Sequence, residues 1–218
     1  MSVDLQKELN ALRRHILTMG ACVDNRVNET CSALFTLDTD AARHVCAGDD
    51  EIDAMDLDIE REALRLLALT QPVAADLRFI LAAMRINTDL ERIADLARSI
   101  AKRVLALCEE SEELNLPPAL RAMADRTRTM LSDALAALSD NDTALCEAIR
   151  KADDQVDDLL KEIFTWAQEE IPGHVDSTPS VINMLSIARK LERIADMTTN
   201  IAEDIIFFTS GEVVRHVQ

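Results

Sequence analysis

The sequence predicts an all-α protein built as two tandem, pseudo-symmetric three-helix bundles, six long antiparallel helices in all. Three observations carry that expectation. The 218 residues include four Gly, five Pro, no Tyr and 3% aromatics, a vocabulary that favours helix over strand. Apolar residues recur at helical spacing through long stretches. A six-residue block, Leu-Glu-Arg-Ile-Ala-Asp, stands at 90–95 and again, letter for letter, at 191–196.

The first helix is expected from Val3 to about Leu37, with Leu5, Leu9, Leu12, Ile16, Met19, Val23 and Val27 on one face. Leu37-Asp38-Thr39-Asp40 supplies a break and capping residues. The second helix continues to about Leu69, with Gly48 as its weak point. Gln71-Pro72 predicts the start of the third, because proline in the first helical position loses no intrahelical hydrogen bond; that helix should reach about Glu109. A polar, proline-containing linker, 110–118, is the best domain boundary.

The second half repeats the plan. A fourth helix runs from about Pro118 to Leu138, a break falls at Ser139-Asp140-Asn141-Asp142, and a fifth runs from about Thr143 to Glu170. Ile171-Pro172-Gly173-His174 interrupts, Thr178-Pro179 restarts, and the sixth helix ends at about Ser210 before Gly211. At an offset of 101 the halves share Ile86/Ile187, the whole repeated block, Ile100/Ile201 and Ala101/Ala202. Upstream the offset becomes 104, aligning Asp49, Ile52 and Asp53 with Asp153, Val156 and Asp157. A loop-length difference produces such a change, so we read repeats at 1–112 and 116–212.

A formal net charge of −17 repels nucleic acid and anionic lipid and makes cations the natural ligands. Cys22, Cys31, Cys46, Cys108 and Cys146 form no C-x-x-C pair and read as small hydrophobes in a reducing compartment. No signal-peptide core or membrane-length apolar run is present. A cytoplasmic protein is expected, reaching a membrane only through partners.

Residues four apart on a helix lie about 40° apart around its axis, so Glu91 and Asp95 form a pincer on one side. The core stripe of that helix is Ile86, Leu90, Ile93, Ala97 and Ile100, which turns the pincer outward. Glu192 and Asp196 stand likewise against Ile187, Leu191, Ile194, Thr198 and Ile201. The second helix adds Asp49 and Asp53, continued by Asp56 and Glu60; its counterpart adds Asp153 and Asp157, where Leu160 and Phe164 replace the further acids. Like charges at this spacing cost about 0.2–0.5 kcal/mol per pair on an exposed helix, so solvated surface is the bland reading. Four pairs, two per half on matching helices, favour a cation site. Carboxylates without Cys or His select Mg, Mn, Ca or Fe. The absence of a Glu-x-x-His pattern and the outward placement separate this from a di-iron bundle core.

The segments NTDLERIADLARSIAKRV (87–104) and KLERIADMTTNIAEDIIFFTSGE (190–212), with QPVAADLRFI (71–80) before the first, resemble the PhoU family over essentially the whole chain. The resemblance implies two similar three-helix bundles and a homodimeric cytoplasmic regulator. Such proteins connect the Pst phosphate transporter to the PhoR–PhoB two-component system as negative regulators of the phosphate-starvation response. It implies as partners the transporter's ATPase subunit PstB and the sensor histidine kinase PhoR. It also implies multinuclear iron or zinc held by E(D)xxxD motifs on the outer face of each bundle. Those motifs fall on Asp49/Asp53, Glu91/Asp95, Asp153/Asp157 and Glu192/Asp196.

No nucleophile-and-base arrangement, glycine-rich phosphate loop or dinucleotide fingerprint appears, so no catalytic residue is expected. The competing readings are a carboxylate-bound metal hydrolase or oxidase and a metal-free helical adaptor. His15 lacks the surroundings of a phosphotransfer histidine. Ile205-Ile206-Phe207-Phe208 is expected to close the second core, and Phe164 and Trp166 to pack on the fifth helix.

Overall fold

A computed structural model of the chain describes residues 4–110 and 115–214. Its helices are α1 (Leu5–Thr36), α2 (Thr39–Ala47), α3 (Asp49–Thr70), α4 (Ala74–Glu110), α5 (Pro118–Asp140), α6 (Thr143–Gly173) and α7 (Thr178–Ser210), with a short 3-10 turn at Val175–Ser177. Helices α1 to α4 form the first bundle and α5 to α7 the second. The two are joined along α4 and α7 and, less extensively, along α1 and α5. The expected second helix is thus two pieces hinged at Gly48, whose carbonyl accepts from the Arg26 guanidinium. Its counterpart α6 has Ala152 at the equivalent point and runs unbroken.

The turns repeat as faithfully as the helices. Leu37 and Asn141 both close the preceding helix in the left-handed region, at φ 54° and 56°. Asp38 and Asp142, the next residues, each accept two backbone N–H bonds from the new helix at 2.9–3.0 Å, satisfying donors the first turn leaves without partners. Gly211 ends α7 at φ 81° as its position predicts.

Two boundaries differ from expectation. Helix α4 begins at Ala74, after Gln71 (φ 48°) and with Ala74 itself at φ 46°. A proline disfavours the α conformation in the residue before it, and the chain turns through left-handed residues before the helix is established. At the far end of α6, Pro172 sits within the last turn. A proline's fixed φ suits that conformation and its ring removes one N–H bond near a terminus. The linker expected at 110–118 lies partly outside the described residues.

The core stripes fall where the pattern places them. Ile86, Leu90, Ile93 and Ala97 are fully buried, and so are Ile187, Leu191, Ile194, Thr198 and Ile201. Apolar burial continues across both bundles as one core. Gly20 marks a close approach of α1 to α5: a side-chain carbon there would collide with Leu135. The apolar end of α7 closes the junction between the halves. Phe208 packs edge-on against Phe79 of α4 at 5.3 Å, and the Arg13 guanidinium lies over both rings at 4.9 and 5.5 Å. Phe164 and Trp166 are half-buried, with Arg189 over the Phe164 ring at 5.1 Å. All five cysteines are free thiols; burial pushes Cys31 and Cys146 up to about 12, which leaves both unreactive.

The stripe makes a quantitative prediction. Ile93→Ala should destabilise the chain by about 2–5 kcal/mol. Leu57→Ala, at a position 47% exposed on α3, should stay within about 0.5 kcal/mol of the parent. Urea unfolding midpoints at constant slope check both.

Candidate functional site

Burying the stripes leaves the acidic pairs on the opposite side of each helix. In the first half Glu91 is half-buried, while Asp95 and Asp53 are exposed. Asp49 is the first residue of α3; its side chain lies outside the described residues. In the second half Asp153 and Glu192 are half-buried, and Asp157 and Asp196 are exposed.

The fold brings acids from two helices to the same place in each half. Burial raises the Glu91 carboxyl above its ordinary range, and so do Asp95 on its own helix and Asp56 and Asp53 on α3, against a smaller effect of Arg92. Asp56 is raised by burial and by Glu60 and Asp53, partly offset by a hydrogen bond from Asn87. Asp153 is pushed up to about 6, first by burial and then by Asp196, Asp157, Asp154 and Glu192. Glu192 and Asp196 are also raised by burial and by Asp157, with Arg193 opposing. All four expected residues of the second half are therefore electrostatically linked. Repeat one carries more acids in sequence, yet the largest rise falls on Asp153 in repeat two. Folding holds these groups against desolvation and mutual repulsion, a condition that a bound cation relieves.

Whether the residues suit a metal depends on the donors and their surroundings. The donors are oxygen throughout, which matches hard or borderline cations. In the first half a cleft of about 560 Å³ between α3, α4 and α7 is lined by Asp56, Glu60, Asn87, Glu91, Arg92 and Asn200 among others. Asn87 is 2% exposed. Its amide nitrogen donates to Asp56 Oδ1 at 2.6 Å and to the Asp56 carbonyl at 3.1 Å. Its Oδ1 is buried with no hydrogen-bond partner, an acceptor beside carboxylates that a cation or a donor would satisfy. Among the described residues, however, no three His, Cys, Asp or Glu side chains converge closely enough to hold an ion as they stand. The donor chemistry fits a metal; the described side chains do not converge on one point.

Asn87 was not singled out from sequence. Its signal was there, since Asn87, Glu91 and Asp95 follow one another at four-residue steps along one side of α4. Two ion pairs cross the ends of the block: Arg92 within it pairs with Asp89 just before it at 3.9 Å, and Asp95 within it pairs with Arg98 just after it at 3.9 Å. His15 lies 2.6 Å from Glu62, which occupies the ring nitrogen nearest its neighbour. No described helix is long and apolar enough to cross a membrane.

The fold and its sites define a class: an all-α protein of two repeated three-helix bundles with matching acidic outer faces. The sequence matches the PhoU domain over residues 16–104 and again over 120–205, and the chain belongs to the PhoU family. It is 37% identical to a phosphate-specific transport system accessory protein PhoU homolog of Pseudomonas putida, covering all of this chain and 85% of that protein. It is 30% identical to the phosphate-specific transport system accessory protein PhoU of Escherichia coli K12, covering all of this chain and 90% of that one. Among solved structures, PhoU from Pseudomonas aeruginosa superposes with a TM-score of 0.93 at 33% identity, over 96% of this chain and 100% of that one. The phosphate transport system regulatory protein PhoU from Streptococcus pneumoniae superposes with 0.85 at 30% identity, over 97% and 99%.

The raised Asp153 predicts a pH dependence in the metal-free chain. An acid bound more tightly to its proton when folded than when unfolded contributes stability as pH falls. The penalty is complete above about 6 and disappears toward the unfolded value near 4. Asp153→Asn should therefore stabilise the chelator-treated protein at pH 7 by on the order of 1 kcal/mol after solvent screening. The two proteins should converge near pH 4, as denaturant melts at both pH values will register.

Proposed function

We propose that this chain regulates phosphate uptake as an accessory protein of the phosphate-specific transport system. In this reading it works in the cytoplasm as a homodimer without catalytic activity of its own. It acts as a negative regulator that meets the transporter's ATPase subunit PstB and passes the phosphate state to PhoR, and so to PhoB. Family membership supports the transport role, and the relatives above carry accessory or regulatory names.

The observation that carries the metal part of the reading is the pairing of helices in both halves. Carboxylates of α3 press on Glu91 of α4, and carboxylates of α6 press on Glu192 and Asp196 of α7. Asp49, Asp53, Glu91 and Asp95 would hold ions on the first bundle, and Asp153, Asp157, Glu192 and Asp196 on the second. Asn87 Oδ1 and Asp56 stand beside the first set. Bound iron or zinc, or Mn, Mg or Ca, would supply concentrated positive charge that ties neighbouring helices and offers an open position to an anionic partner group. The chain's own residues set the donor chemistry, keep it on the outer face and hold the pairs at one register through the buried stripe beneath.

A second reading keeps the same residues as a docking face for the basic side chains of a partner. That no three such donors converge among the described residues favours it. Elemental analysis of protein purified without a metal-affinity tag separates the two. The parent should carry more than one ion of Fe, Zn or Mn per chain, and a folded Glu91→Ala/Asp95→Ala/Glu192→Ala/Asp196→Ala variant should lose them. A parent that stays empty after incubation with each metal rules out the metal part and leaves the docking face.

A further inference from the structure

The internal repeat inverts its charge along the seam between α4 and α7. At the offset of 101, Asp89 corresponds to Lys190, Lys102 to Glu203 and Arg103 to Asp204, while Arg92 and Arg193 correspond to each other. Arg85 of α4 meets Asp204 of α7, and Arg103 of α4 meets Asn183 of α7. The two helices thus run antiparallel, and these positions line opposite ends of one seam.

The end near Asp204 is neutralised internally. Arg85 pairs with the buried Asp204 at 3.1 Å, Arg150 with Glu203 at 3.5 Å, and Arg92 with Asp89 at 3.9 Å. The other end has no such balance: among the described residues Arg103, Lys190 and Arg193 form no ion pair with any carboxylate. Arg103 Nη1 donates to Asn183 Oδ1 at 3.1 Å, and Lys190 Nζ to Ser186 Oγ at 2.8 Å. Asn183, Ser186 and Lys190 share the face of α7 turned to α4, with Arg193 one turn further on. Arg103 and Arg193 are close enough to oppose the charge of Lys190, adding to the larger effect of its partial burial. Glu192 and Asp196 lie on the α6 side of Arg193, and Arg193 acts on both. Ser186 accepts from the lysine with its oxygen and keeps its own proton to donate.

We propose that the Arg103–Lys190–Arg193 end of the seam is an anion site for a dianionic tetrahedral oxyanion, a phosphate or phosphoryl group, bridging the two halves of the chain. Three cations gathered in a molecule of net charge −17 call for a compact, multiply charged partner. A carboxylate would leave most of that charge unmatched. Two guanidinium groups suit the oxygen pairs of a phosphate through parallel N–H bonds, and Lys190 adds a point charge between them. The site adjoins the acidic pair of α7 through Arg193 but needs no metal.

The test uses the full chain, stripped of metal and kept in chelator so that no ion on the acidic faces can capture the anion. Inorganic phosphate is titrated calorimetrically at low ionic strength, with sulfate as a second dianion and acetate as a control. Saturable binding of phosphate and sulfate but not acetate is expected. Arg103→Gln/Lys190→Gln should weaken it by at least about tenfold, Arg103→Lys/Lys190→Arg should retain it, and Arg14→Gln/Arg126→Gln, which removes the same charge from exposed positions elsewhere, should leave it unchanged. A phosphoserine peptide that binds where free phosphate does not, with the same loss in the first variant, places the oxyanion on a partner protein. The site is refuted if neither probe binds saturably, if acetate competes equally, or if both glutamine variants behave alike. Metal content of the parent plays no part in any of these outcomes, so this inference and the metal reading fail separately.

Discussion

Burial of one apolar stripe on α4 and its copy on α7 is the constraint on which the rest of the molecule depends. Leu90, Ile93 and Ala97 on one, and Leu191, Ile194 and Thr198 on the other, are fully buried. At 3.6 residues per turn, that choice dictates where every other residue of the repeated block points. Glu91 and Asp95, like Glu192 and Asp196, are forced to the outer side. The arginines between them fall on the flank beside the seam. Core energetics and site geometry are one decision, written twice.

The outer faces are held at a cost that the core sustains. Carboxylates contributed by separate helices stand near enough to raise one another, most strongly at Asp153. A fold under selection for stability alone would replace such groups with lysine or alanine at little expense, because surface substitutions change stability by only about 0.5 kcal/mol. A bound cation would offset that cost in both repeats. The halves are not equivalent, however. The first adds Asp56, Glu60 and the buried Asn87 oxygen; the second places Leu160 and Phe164 where the extra acids would be. Charge along the seam also differs, neutralised at one end and basic at the other.

Much of the fold was legible because helical periodicity and tandem repetition are local signals. The inner stripes, the capping role of Asp38, the break before Thr143, the weak point at Gly48 and the stop at Gly211 follow from residue type and spacing. The start of α4 falls two residues after Pro72, whose fixed φ suits a first helical position, because Ala74 lies in the left-handed region and the right-handed helix is established only there. At the site, the outward pincers were readable from their four-residue spacing. Asn87 shares that spacing, but its part at the site shows only once tertiary packing buries its amide oxygen and its nitrogen is spent on Asp56. Nor could spacing alone show that Arg85 reaches Asp204 across 119 residues of chain, or that Phe208 would close the junction of the halves by meeting Phe79.

If the repeated acidic faces hold metal, as we propose, anomalous X-ray scattering will locate it there. Crystals of the chain grown with iron or zinc would be measured on either side of the absorption edge. Anomalous peaks are expected on both outer faces, one set within coordination distance of Glu91 and Asp95 and another within that distance of Glu192 and Asp196. Crystals in which the metal appears only elsewhere, or in which both faces carry water alone, would contradict the proposal.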